Sequence, residues 1–211
     1  MSKTTCATKA LTALTLMTMT FLVPALPTLS ANEPLFNSKK DGPLLTQPKK
    51  VKVQTSAGPL IFILEPQWAP QTATQMAKLF QNHAFDGTEI ARYEPDFIFQ
   101  ISLAESKAPG QGILAPTAQK LIRRIPLEVG EENSGKLIHK PGVLSMARDD
   151  NDLSSNTTSF SILLGKAPHL DKKYTIFGRL SDDKENQQTL NKMKAEWPKH
   201  PYIVKTLPNP V

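Results

Sequence analysis

The 211-residue chain has one cysteine, Cys6, few aromatic residues (7%) and only 10 glycines. Cys6 lies in the N-terminal leader, so the rest of the chain has no thiol, which excludes a disulfide staple, thiol catalysis, redox exchange and thiolate metal sites there. The domain must stand on its hydrophobic core. A long apolar run is also lacking. A membrane span needs ~20 predominantly apolar residues, and extending the run at 10–23 that far takes in Pro24, Pro27 and several threonines. With Lys3 and Lys9 before that run, no acid anywhere in the leader, and Leu29-Ser30-Ala31 after it, residues 1–31 read as a cleaved secretory signal peptide. An uncleaved membrane anchor is the alternative. Clustered charge is missing too. Lys+Arg 25 against Asp+Glu 19 leaves +6, of which the leader lysines supply two, and the pairs Lys39-Lys40, Lys49-Lys50, Arg123-Arg124 and Lys172-Lys173 are scattered. That footprint argues against nucleic-acid binding.

Several chemistries fail for want of residues or spacing they require. The spacing from Gly130 to Lys136 fits a phosphate-binding loop, but Leu137 stands where a hydroxyl must reach magnesium. The acidic stretch from Arg148 to Asp152 has neither the glycine nor the distal glutamate of a calcium loop. His83, His139, His169 and His200 lack metal-type spacing, and no serine sits in G-x-S-x-G. No cofactor or metal is therefore expected.

Residues 32–48 are rich in Lys, Pro, Gly and Asn without periodicity and read as a flexible, solvated linker. The domain at 49–208 begins with Val51, Val53 and Thr55 alternating with polar residues, and Leu60 to Leu64 follow a tight turn, so two strands are predicted. Ala73, Met76, Ala77 and Phe80 behind Pro70 have the spacing of an amphipathic helix. Short apolar runs follow around Ile90 and at 97–101, 121–127, 143–146, 160–164 and 176–180. A second helix is predicted over 185–197, and 202–204 closes the sheet. Many short strands punctuated by Gly and Pro indicate a mainly β barrel or sandwich with two helices.

Three motifs add identity to this pattern. Glu89-Ile90-Ala91-Arg92-Tyr93-Glu94-Pro95-Asp96-Phe97-Ile98-Phe99-Gln100 resembles the cyclophilin motif F-H-R-V-I-P-G-F-M-I-Q. Gly142-Val143-Leu144-Ser145-Met146-Ala147 is similar to that family's G-x-L-S-M-A strand. Leu170-Asp171 through Tyr174-Thr175-Ile176-Phe177-Gly178 is similar to its L-D-x-x-Y-T-x-F-G ending. The resemblance implies a closed eight-stranded antiparallel barrel capped by two α-helices. It also implies a peptidyl-prolyl cis-trans isomerase that acts on proline-containing polypeptides as a monomer, without cofactor or stable membrane insertion once processed. With the leader, it would assist folding of exported proteins in a periplasm or another secretory compartment.

By the same resemblance Arg92 is the catalytic donor to the prolyl nitrogen. The substrate-binding positions are Phe97, Gln100, Met146, Ala147, Ser159, Phe160, Ser161, His169, Leu170 and Tyr174, with Phe97, Met146, Phe160 and Leu170 forming the apolar pocket. Departures from the family pattern bear on activity. Ser159 stands where glutamine is usual, Ser161 where a second phenylalanine is usual, His169 where cyclosporin-sensitive members have tryptophan, and Tyr174 where many have histidine. Losing the Ser161 aromatic removes contact worth roughly 1.5–3 kcal/mol if fully buried, so the alternative is a catalytically weak barrel that binds proline peptides or a partner. Ile101-Ser102 replace Gly-Gly, and only Gly110-Gln111-Gly112 is similar to the later G-x-G.

Overall fold

The computed structural model describes residues 34–103, 119–129, 137–148, 152–154, 158–197 and 203–207. The leader, the Gly110-Gln111-Gly112 loop, the Gly130 to Lys136 spacing, His200 and Tyr202 lie outside them. Eight strands form a closed barrel: β1 (Lys49–Thr55), β2 (Gly58–Leu64), β3 (Thr88–Glu94), β4 (Ile98–Ser102), β5 (Val143–Met146), β6 (Ser159–Leu163), β7 (Ile176–Leu180) and β8 (Ile203–Thr206). Their order around the barrel is β1-β2-β7-β5-β6-β4-β3-β8, all pairs are antiparallel, and β8 returns to β1. Closure leaves no sheet edge to protect.

Alternation decides what fills the barrel. Val51, Val53, Leu60 and Phe62 face inward across the β1–β2 hairpin, joining Phe99, Ile101, Leu144, Met146, Phe160, Ile162 and Phe177 in one buried cluster. Phe160 lies at its centre, with its ring edge-on to Phe62, Phe80, Phe85 and Phe177 at centroid distances of 6.0, 6.0, 5.4 and 5.9 Å. Edge-to-face contacts at such distances suit the ring quadrupoles.

Two longer helices pack on the barrel. α2 (Pro70–Gln81) buries Ala73, Met76, Ala77 and Phe80, the face that the spacing predicts. Its first residue is proline and its N-cap, Ala69, has no side chain to bond the free N–H groups. Glu128 supplies the acceptor from elsewhere, its carboxylate accepting from the Gln71 and Thr72 N–H groups at 2.9 and 2.8 Å and from the Thr72 hydroxyl at 2.6 Å. A carboxylate there also complements the positive end of the helix dipole. α3 (Lys184–Glu196) packs along β2, where the Asn186 amide donates to the Ile61 carbonyl and accepts from its N–H. Leu190 and Met193 join the core, and Trp197 meets Tyr93 edge-on at 5.6 Å. No helix of the described residues is long and apolar enough to cross a membrane.

Two expectations need correction. Residues 121–127 form no strand; Ile122 and Ile125 are buried, and the stretch carries isolated bridge positions at Arg124, which pairs with Leu35, and at Ile125. The segment expected to be a solvated linker is, from Pro34 onward, held on the domain. The short helix α1 (Ser38–Asp41) is capped by Asn37, and the Asp41 carboxylate, 5% exposed, bonds Arg123 at 2.7 and 2.8 Å. Further along, the Leu45 N–H donates to the Thr74 hydroxyl of α2. Composition marks such a stretch as solvated because Arg123, the donor that pairs with its Asp41 carboxylate, lies 82 positions away.

Candidate functional site

Outward-facing residues form the site, and cross-strand pairing sets them in a row. Arg92 on β3 stands opposite Gln100 on β4, Gln100 opposite Ser161 on β6, and Ser161 opposite Ser145 on β5. Directly opposed residues share a face, so an exposed guanidinium begins a polar track that runs inward to a buried hydroxyl. The Gln100 amide N–H donates to the Ser159 hydroxyl at 2.9 Å, and its amide oxygen is an acceptor.

Beside the row lies an apolar ledge. Ile98, Val143, Leu163, Ala167 and Ile176 form a second buried cluster outside the barrel, against which Phe97, Leu170, Trp68 and Leu137 pack half-buried. Phe97 is placed by the Glu94-Pro95-Asp96-Phe97 turn, closed by the Phe97 N–H to the Glu94 carbonyl at 3.1 Å, with Asp96 at φ +56°. The turn rests on the loop after β6: Leu164 donates to the Phe97 carbonyl, and a Cβ at Gly165 would lie 1.8 Å from the Asp96 carbonyl oxygen. Only glycine fits there. The 3-10 turn Pro168–Leu170 then brings the exposed His169 ring to 5.6 Å from Phe97 and sets Leu170 on the ledge. Ala147 follows β5 and donates to the Ser159 carbonyl, and the next residue, Arg148, lays its guanidinium 4.6 Å over the Tyr174 ring.

Arg92, Phe97, Gln100, Ala147, Ser159, Ser161, His169, Leu170 and Tyr174 thus gather at this outer site. Met146 and Phe160 do not. They pair with each other across β5 and β6 and point into the barrel, 2% and 0% exposed, so neither lines a proline pocket. The reason is the two-residue period: with Ser159 and Ser161 outward, Phe160 between them must face in.

Two functional neighbours escape the motif reading. Glu94 shares the Arg92 face and holds its guanidinium, with Oε1 at 3.1 Å from both Nε and Nη2. Ile98 lies two positions before Gln100 and opposite Glu94, so it faces the same way and floors the ledge. Alternation counted back from Gln100 carries the signal for both. Among the described residues no group of three or more His, Cys, Asp or Glu side chains is placed to hold a metal ion.

Behind the row, His139 Nε2 lies 2.9 Å from the Ser145 hydroxyl and Nδ1 lies 2.8 Å from Asp171 Oδ1. Burial holds the imidazole below its ordinary value of 6.5 against the opposing pull of Asp171. Burial alone would raise Asp171, but the hydrogen bonds and charge of His139 outweigh it and hold the carboxyl below 3.8. Asp41 is likewise below that value, since Arg123, Asn37 and Lys78 outweigh its burial. Acidification is therefore expected to reduce stability in two stages. A histidine that binds its proton less readily when folded contributes fully above 6.5, and that contribution is lost as pH falls through the lower folded value. The carboxylates contribute above 3.8 and lose their share as pH falls through their depressed values. Thermal melts from about pH 7.5 to about pH 2.5 check this, and a Tm that rises on acidification through the first window would contradict it.

The family model described as cyclophilin type peptidyl-prolyl cis-trans isomerase/CLD matches residues 50–207. The chain is 35% identical over 147 residues to the peptidyl-prolyl cis-trans isomerase CYP23 of Arabidopsis thaliana, covering 69% of this chain and 60% of that protein. It is 28% identical over 161 residues to a peptidyl-prolyl cis-trans isomerase-like 2 protein of Gibberella zeae, covering 73% of this chain and 25% of that one. The chain thus spans less than two thirds of the length of either relative. A solved cyclophilin type isomerase of Cryptosporidium parvum superposes with a TM-score of 0.59 at 24% identity, covering 77% of this chain and 99% of its own. That likeness carries the fold.

Proposed function

Since the chain belongs to the cyclophilin-type peptidyl-prolyl cis-trans isomerase family, we propose that it accelerates rotation about X-Pro peptide bonds, with Arg92 as the group acting on the reacting nitrogen. One observation carries this reading: the Arg92–Gln100 pair stands beside the ledge of Phe97, Ile98 and Leu170, so that a cation, a backbone anchor and an apolar seat meet on one face. Amide resonance sets a barrier of ~18–20 kcal/mol, and no bond is broken in crossing it. Cis and trans X-Pro forms differ by only about 0.5–1 kcal/mol, so only the twisted state needs help. In that state the prolyl nitrogen regains its lone pair, and a guanidinium N–H directed at it binds the twisted form better than either planar one. Phe97, Ile98 and Leu170 hold the ring, while the Gln100 oxygen accepts a substrate backbone N–H. Both sides of the rotating bond are then gripped.

The proposal extends to place and partners. The Lys3, Lys9 and 10–23 pattern supports export, and the acting form is a processed monomer that meets unfolded exported chains rich in X-Pro bonds. A second reading rests on Ser161. Opposite both Gln100 and Ser145, it offers a hydroxyl where an aromatic would close the seat, which favours a proline-binding module of low turnover.

An isomerisation assay on a short Xaa-Pro peptide separates the two. The protein is expected to accelerate the reaction, and Ser159→Gln/Ser161→Phe to raise kcat/KM about tenfold by restoring roughly 1.5 kcal/mol of apolar contact. No acceleration by the unaltered protein, with activity gained by the double variant, would establish the binding module.

A further inference from the structure

One buried side chain joins the 3-10 turn of the site to the barrel. His139, 1% exposed, lies just before β5. Its carbonyl accepts the Ala167 N–H at 3.0 Å, and its own N–H donates to Asp171 Oδ1 at 2.8 Å, the atom that Nδ1 also reaches. Ala167 and Asp171 flank the Pro168–Leu170 turn, so both ends of that turn are tied to a single residue. Through Nε2 the same imidazole is bonded to Ser145, which stands opposite Ser161 in the row that leads to Gln100 and Arg92. A three-residue 3-10 turn has little stability of its own, and here Pro168 and His169 are exposed.

The Ser145, His139 and Asp171 contacts have the spacing of a nucleophilic triad. Ser145 is only 3% exposed, on a strand paired on both sides, where no acyl substrate reaches it. The network has another use. We propose that His139 is a positioning residue that clamps the Pro168–Leu170 turn to β5, and so sets the distance of Leu170 and His169 from Phe97 and Gln100 across the proline seat. This rests on the isomerase reading of the same site.

The clamp has a kinetic signature distinct from that of Arg92. Leu170 touches the proline ring in planar and twisted states alike, so loosening it weakens ground-state and transition-state binding equally. KM rises while kcat stays. Asp171→Ala removes the acceptor from the end of the turn, whereas Asp171→Asn keeps an oxygen that accepts from both His139 donors. Ser145→Ala cuts only the tie to β5.

The test compares these three variants with the unaltered protein, using a short Xaa-Pro peptide for kinetics and amide hydrogen exchange for the turn. Asp171→Ala is expected to raise KM about fivefold with kcat within about twofold, and Asp171→Asn to return KM to within about twofold of the starting value. Exchange at Ala167 and Tyr174 should quicken about tenfold in Asp171→Ala while β4 and β6 keep their protection. Unchanged Ala167 exchange, an unchanged KM, or a kcat that falls in step with kcat/KM overturns the clamp. If Asp171→Ala does not fold, Ser145→Ala decides by the same readings, with smaller shifts expected in the same direction. An unaltered protein that fails to isomerise the peptide refutes the isomerase reading alone, and the exchange data still decide the clamp.

Discussion

Replacing Arg92 by alanine is expected to lower kcat about 10²–10³-fold, the cost of removing one preorganised donor from a developing charge. The fold should be indifferent. Arg92 is 51% exposed at its side chain, and its ion pair with Glu94, itself 47% exposed, is of the kind that solvent screens to little net stability. A thermal melt of Arg92→Ala should overlay that of the unaltered protein. Arg92→Lys should recover only part of the rate, because an ammonium is a point charge on a flexible stem and does not reproduce the planar fork that meets Glu94 and the prolyl nitrogen together. Glu94 holds one edge of that fork, with Oε1 3.1 Å from both Nε and Nη2. Full activity in Arg92→Ala, with peptide binding intact, would mean that the twisted bond is stabilised by some other group.

The second large effect lies where the motif alone would misplace it. Phe160→Ala is expected to cost about 3–5 kcal/mol, the range for removing a buried aromatic from a packed core. Four rings meet Phe160 edge-on inside the barrel, and none can follow it into the space left behind without losing its own contacts. Against a total stability of about 5–15 kcal/mol this is a large fraction, and Tm should fall by roughly 10 °C or more. Under conditions where the variant remains folded, KM for an X-Pro peptide should be close to that of the unaltered protein. The opposite pattern, a raised KM with an unchanged melt, would put Phe160 back in the pocket. Phe160 and Ser161 are adjacent, yet the first is expected to act on stability and the second on substrate, because neighbouring strand residues face opposite sides.

Much of the architecture was legible because it is written in short-range periodicity. Alternation at Val51, Val53 and Thr55 announces β1, and the spacing of Ala73, Met76, Ala77 and Phe80 behind Pro70 announces α2, since in each case burial of one face selects one backbone geometry. The motif around Arg92, Phe97 and Gln100 likewise survives in the linear chain, because a turn and two paired strands keep those residues at fixed offsets. By itself, then, the sequence determined the family, the two long helices and all the barrel strands, while placing one strand too many at 121–127.

Tertiary structure decided what depends on partners far away in the chain. Register across β5 and β6 sends Met146 and Phe160 inward, although the motif lists them beside residues that face outward at the candidate site. Docking of Asp41 against Arg123 turns an apparent linker into part of the domain, and Glu128 caps a helix begun by Pro70. His139 joins Asp171 and Ser145 only once strand and turn have closed on each other. In each case a polar or charged group removed from water requires a partner, and local pattern shows the need for one while only the closed barrel shows which residue meets it.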